Sequence, residues 1–100
     1  MQQKYKVNIK TENWNKLKLR SIKIDKPLYK ILIEDVYPYF LKNNNLNEIP
    51  KLQPIKDFKG VYFPNEIKPI LKEKAWEFNC NISSFVNHII SFYFDNLEGD

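Results

Sequence analysis

The feature that most constrains this chain is a change of apolar period that happens twice. Apolar residues first alternate, as in a half-buried strand. They then recur every three or four positions, as in helices packed on one side. In the first half, Tyr5-Lys6-Val7-Asn8-Ile9-Lys10 puts Tyr5, Val7 and Ile9 on one face and Lys6, Asn8 and Lys10 on the other. Thr11 is placed to cap a helix running to about Ile24, with Trp14, Leu17 and Ser21 inward. Asp25-Lys26-Pro27 breaks that helix, and a second runs from Pro27 towards Lys42 with apolar pairs at Leu32/Ile33, Val36/Tyr37 and Phe40/Leu41. Pro38 falls inside it, where the lost hydrogen bond and ring clash cost about 3 kcal/mol or more, so a kink or an early end is expected.

The second half follows the same order. Gly60-Val61-Tyr62-Phe63 is a short β-prone stretch, and Pro64 suits the first position of the next helix because its missing N–H has no intrahelical partner. Ile67, Ile70, Leu71, Ala75 and Phe78 then fall on one side. Asn79-Cys80-Asn81 reads as a turn, and Ser83 or Ser84 can cap a last helix with apolar pairs at 85/86, 89/90 and 93/94. Between the halves, residues 43–57 form a connector that Pro50 and Pro54 keep extended.

The halves superpose without a gap through both helices. Trp14 falls on Ile67, Leu17 on Ile70, Leu32/Ile33 on Phe85/Val86, Val36/Tyr37 on Ile89/Ile90 and Phe40/Leu41 on Tyr93/Phe94. The strands need a one-residue slip that brings Val7 and Ile9 onto Val61 and Phe63. The halves share almost no identical residues, so the match is one of pattern. The organisation is a strand-helix-helix unit over residues 1–42, a connector over 43–57 and a second unit over 58–100, built on one shared core.

The chain resembles the ribbon-helix-helix family of the Arc/MetJ type. The stretch from Phe58 to Phe94 carries the better match, in Val61-Tyr62-Phe63-Pro64-Asn65-Glu66-Ile67 and then Asn81-Ile82-Ser83-Ser84-Phe85-Val86. Lys4 to Leu41 matches in pattern but lacks the proline and the serine. The resemblance implies a mainly α fold with a short two-stranded antiparallel ribbon, in which two tandem units form an intramolecular pseudo-dimer. It also implies that the ribbon enters the major groove of double-stranded DNA. Lys6, Asn8, Lys10 and Tyr62 would then read bases, and Lys30, Lys56, Lys59, Ser83 and Ser84 would contact phosphate. Strand two departs from the pattern, since its outward positions, Phe58, Gly60 and Tyr62, offer little beyond Tyr62 to read a base. The roles so implied are those of a small transcriptional regulator or a plasmid or mobile-element accessory protein, with self-association along DNA.

Charge and residue types are consistent with that class but do not require it. The formal net charge is +4, with ten Lys/Arg against four Asp/Glu in residues 1–42 and six against eight in 43–100. A basic first half suggests a polyanion contact there, or simply a solvated lysine-rich surface. Cys80 is the only cysteine and His88 the only histidine, so no intramolecular disulfide can close, no Cys/His cluster exists for zinc, and no cofactor is expected. The expected setting is cytoplasmic, without a membrane span. Nothing in the sequence assembles an enzyme: Cys80 has no adjacent base, Glu34-Asp35 reads as solvated, and there is no phosphate-cradling glycine loop. Trp14, Trp76, Tyr37, Phe92 and Tyr93 fit a core or a partner surface better than base stacking. The rival function is a protein–protein module, an inhibitor or recruiter that keeps the fold with a degenerate DNA face.

Overall fold

The change of period is realised twice in the backbone. In order come β1 (Lys4–Lys10), α1 (Thr11–Ile24), α2 (Leu28–Ile31), a π-helical stretch (Leu32–Val36), α3 (Tyr37–Asn43), β2 (Phe58–Pro64), a 3-10 turn (Asn65–Ile67), α4 (Lys68–Glu77) and α5 (Ile82–Glu98). This computed structural model describes residues 4–44, 49 and 57–98; most of the expected connector, including Lys56, lies outside them. The protein is mainly helical, with one two-stranded antiparallel sheet.

β1 and β2 pair in a register that sets Tyr5 opposite Phe63, Val7 opposite Val61 and Ile9 opposite Lys59. Val7, Ile9 and Phe63 are buried, while Tyr5 and Val61 are half-buried and pack against the core. Two short strands are marginal alone in water, so the helices that cover this face are what hold the ribbon together. Beneath it, Leu17 of α1, Leu71 and Ala75 of α4, and Phe85, Val86, Ile89 and Ile90 of α5 close one continuous core. Phe40 of α3 is its aromatic centre, with ring centroids 5.5 Å from Phe78, 5.7 Å from Phe85 and 5.5 Å from Phe92. These are edge-to-face geometries, the arrangement that ring quadrupoles favour.

Several local expectations give way to other solutions. Pro38 does not end its helix, which continues to Asn43. The turn before it widens into a π stretch, in which Tyr37 N–H reaches back to Leu32 C=O, and Pro38 then stands in the first turn of α3, where its missing N–H leaves no gap in the ladder. Pro64 closes β2 and stands at the cap position of the 3-10 turn, one residue before the first helical position, and Pro69 takes the first-turn position of α4. Thr11 does not cap α1. Lys10 stands at the cap position, and Thr11 donates its hydroxyl to Asp57 Oδ1 at 2.8 Å and its N–H to the Asp57 carbonyl. The N-terminus of α1 is thereby tied to the residue that leads into β2, and the Asp57 carboxylate lies where the helix dipole favours negative charge. α4 ends on Asn79 in the left-handed region (φ 61°), with Cys80 N–H returning to Ala75 C=O at 2.9 Å, which satisfies an otherwise free helix-end carbonyl.

Burial also moves the slip between the halves. Ile70 is 41% exposed, and Leu71 is the residue buried as Leu17 is. The first helices therefore share the offset of the strands, and the one-residue slip falls in the turn between helices. Beyond that turn the match holds for the first member of each apolar pair, since Leu32, Val36 and Phe40 are buried like Phe85, Ile89 and Tyr93, but not for the second: Ile33 and Tyr37 are half-buried and Leu41 exposed where Val86, Ile90 and Phe94 are buried. Glu34 and Asp35 are not simply solvated: Lys26 reaches Glu34 Oε1 at 2.9 Å and Asp35 Oδ2 at 3.4 Å, pinning the turn after α1 to the π stretch. The Lys26 ammonium holds the Glu34 carboxyl below its usual range.

His88 faces the same aromatic core. Its ring stands edge-on to Phe40 at 5.9 Å, and its Nε2 has no hydrogen-bond partner. Burial pushes its pKa below the ordinary 6.5. In the unfolded chain the imidazole takes its proton at the ordinary value, so between the two values the unfolded state binds more protons. Stability present above about pH 6.5 is then lost as pH falls through the folded-state value. The urea midpoint is expected to drop between pH 7.5 and pH 5.5, and His88→Phe to flatten that slope. Phe85→Ala, which empties a buried ring site, is expected to cost about 3–5 kcal/mol in the same urea titration. A loss under 1 kcal/mol would show that the aromatic centre is not the core's main support.

Candidate nucleic-acid interface

The pleat that buries Val7 and Ile9 turns the intervening side chains the other way. Lys4, Lys6 and Asn8 are exposed, and Lys10 is half-buried. Across the ribbon, Lys6 is paired with Tyr62, Asn8 with Gly60, and Lys10 with Phe58. Tyr62 is 62% exposed and Phe58 is also exposed. Neither strand contains an Asp or Glu, so none of the ribbon's own outward side chains is a carboxylate. Of the expected base readers, the fold thus brings Lys6, Asn8, Lys10 and Tyr62 onto one face.

Two features shape this face beyond the side chains expected to read bases. The first is Gly60. A Cβ at that position would fall on Lys6 Cε, so the alkyl chain of Lys6 lies across the ribbon over the glycine. The second is Asn87, buried on α5 beneath the end of β1. Its Oδ1 accepts the Lys10 N–H at 2.8 Å, and its Nδ2 donates to the Asn8 carbonyl at 2.9 Å and to the Ser83 carbonyl at 2.8 Å. Buried Asn13 of α1 adds its Nδ2 to the same Oδ1 at 3.1 Å, and Ser91 donates to Asn13 Oδ1 at 3.3 Å. A buried amide is costly unless its donors and acceptors are matched, and this one is matched by the backbone of the very strand that presents Asn8 and Lys10. The available signal was a lone amide within the apolar stripe of the last helix, between Val86 and Ile90.

The phosphate candidates scatter. Asn81, not a serine, caps α5: its Oδ1 accepts the Ser84 N–H at 2.7 Å. Ser84 is 2% exposed, so its hydroxyl lies inside the fold and is withdrawn from any surface contact; Ser83 is half-buried at the mouth of the first turn. That turn faces an open groove lined by Asn8, Lys72, Trp76, Asn81 and Ser83 among others. Trp76 is 81% exposed on its rim, a surface residue rather than a core one. Lys59 points to the helical side of the ribbon, with its ammonium 5.7 Å from the Trp14 ring centroid, so it does not share the outward face with Lys6. Lys30 is exposed on α2, and Lys56 lies outside the described residues.

Burial raises the Cys80 thiol's pKa, which keeps it protonated and a poor nucleophile. Burial likewise pushes the Tyr5 phenol up to about 12. Among the described residues no group of three or more His, Cys, Asp or Glu is placed to hold a metal, and no helix is long and apolar enough to cross a membrane. No family model matches the chain, and neither does any curated protein or solved structure.

If Asn87 fixes the presenting strand, Asn87→Leu leaves the Lys10 N–H and the Asn8 carbonyl without their partner, while the Asn13 amide keeps only its 3.4 Å bond to the backbone carbonyl of residue 87. The expected loss is about 1–3 kcal/mol in urea unfolding, with faster amide exchange at Lys10 than elsewhere in β1. Unchanged exchange at Lys10 would remove Asn87 from that role.

Proposed function

We propose that this chain is a non-enzymatic, sequence-specific duplex DNA-binding protein whose ribbon enters the major groove. In this reading its two strand-helix-helix units act as one intramolecular pseudo-dimer of the ribbon-helix-helix type. The observation that carries the reading is the antiparallel pairing of residues 4–10 with 58–64, with Lys6 and Asn8 outward and no acid in either strand. The major groove admits a two-stranded ribbon, lysine donates to guanine acceptors, and asparagine pairs with adenine at two points. A two-fold axis through the ribbon requires one residue to face its own equivalent, and Val7 facing Val61 meets that requirement. Lys30, and Ser83 at the first turn of α5, are the residues proposed to reach phosphate, where free helix N–H groups also point. The roles that suit such a protein are those of a small regulator or a plasmid or mobile-element accessory factor.

A protein partner is a second reading, favoured by Leu19 and Ile22, which are 58% and 68% exposed one turn apart on α1. The two readings part in a gel shift with pooled random duplexes at low salt. Retardation that weakens steeply with added salt is expected for the first, with log K falling by about 0.9 per log salt for each phosphate neutralised. A selected site should then lose more than about tenfold in affinity on Lys6→Ala/Lys10→Ala, since each specific contact is worth about 1–3 kcal/mol. A double variant that binds as tightly as wild type would remove the ribbon from the interface.

A further inference from the structure

We propose that the ribbon reads a non-palindromic duplex, with purines on the DNA strand facing β1 and thymines on the strand facing β2. This rests on the duplex-reading proposal and adds the chemistry of the site. The outward side chains are sorted by strand. β1 offers Lys6, Asn8 and Lys10, all of which form hydrogen bonds. β2 offers Phe58, Gly60 and Tyr62, which apart from the Tyr62 hydroxyl present carbon. Both aromatic rings are exposed on that face, so neither is held there by the core.

The major groove displays a matching division. A purine shows acceptors at N7 and at O6 or a donor at N6, whereas thymine shows its C5-methyl on the opposite side of the same A·T pair. A ribbon lying along the groove sets one of its strands nearer each DNA strand. Lysine and asparagine on β1 suit the purine side, and the Phe58 and Tyr62 rings suit methyl groups on the other. Gly60 completes the division. Having no side chain, it opens the centre of the β2 edge, and Lys6 extends over it, so one lysine spans the middle of the face that a symmetric reader would fill twice.

The test is selection of duplexes from a randomised pool by the full chain at low salt. Thymine in the selected site is then replaced by deoxyuridine, one DNA strand at a time, which removes only the C5-methyl. The expected site is non-palindromic, with a purine-rich tract on one strand. Deoxyuridine in the complementary strand should weaken wild type by about fourfold per contacted methyl. The same replacement in the purine-rich strand should change nothing, and Tyr62→Ala should be insensitive to the replacement of the thymine it contacts. A palindromic site, or one indifferent to deoxyuridine, overturns the inference while leaving duplex reading in place. No duplex retained at any salt overturns the duplex reading itself, and this inference with it.

Discussion

The pairing of β1 with β2 is the contact on which the rest of the structure depends. It joins segments from opposite halves of the chain, and its register decides which side chains meet the helices. A one-residue slip would turn every side chain of a strand to the other face. Val7 and Ile9 would then meet water, and Lys6 and Asn8 would enter a core built around Phe40 and Phe85. The buried apolar face therefore sets the register, and Asn87 adds a polar lock at the β1 end by binding backbone on both sides of Ile9. The same lock joins α5 to the strand that carries the outward lysines.

The two halves reach similar topology by different local means. The first fits Pro38 into a π-widened helix and ties its turn together with Lys26, Glu34 and Asp35. The second uses a 3-10 turn after Pro64, a left-handed Asn79 and an asparagine cap. Their outward strand faces differ further still, one polar and the other aromatic around a glycine.

Much of the fold could be read from the sequence because period is a strong signal. The alternation of Tyr5, Val7 and Ile9 located β1 and its faces, and the doubled apolar positions of α5 located its buried stripe. Turn and cap chemistry was less legible. Thr11 and Ser84 are good caps by type, but the side chains that act are set by tertiary neighbours: Asp57 engages Thr11, and Asn81 reaches the Ser84 N–H first. Ile70 and Leu71 are adjacent apolar residues, and only the pitch after the 3-10 turn decides which one is buried. For the outward face, the sequence placed Lys6, Asn8, Lys10 and Tyr62 together. It could not reveal the space above Gly60 or the role of Asn87, because both arise from contacts between distant segments.

The most direct measurement is amide chemical-shift mapping by NMR on the full chain as a duplex is added. Groove entry by the ribbon would concentrate the shifts in residues 4–10 and 58–64 and in the first turn of α5. Shifts confined to α1 around Leu19 and Ile22, with the ribbon amides unmoved, would contradict it.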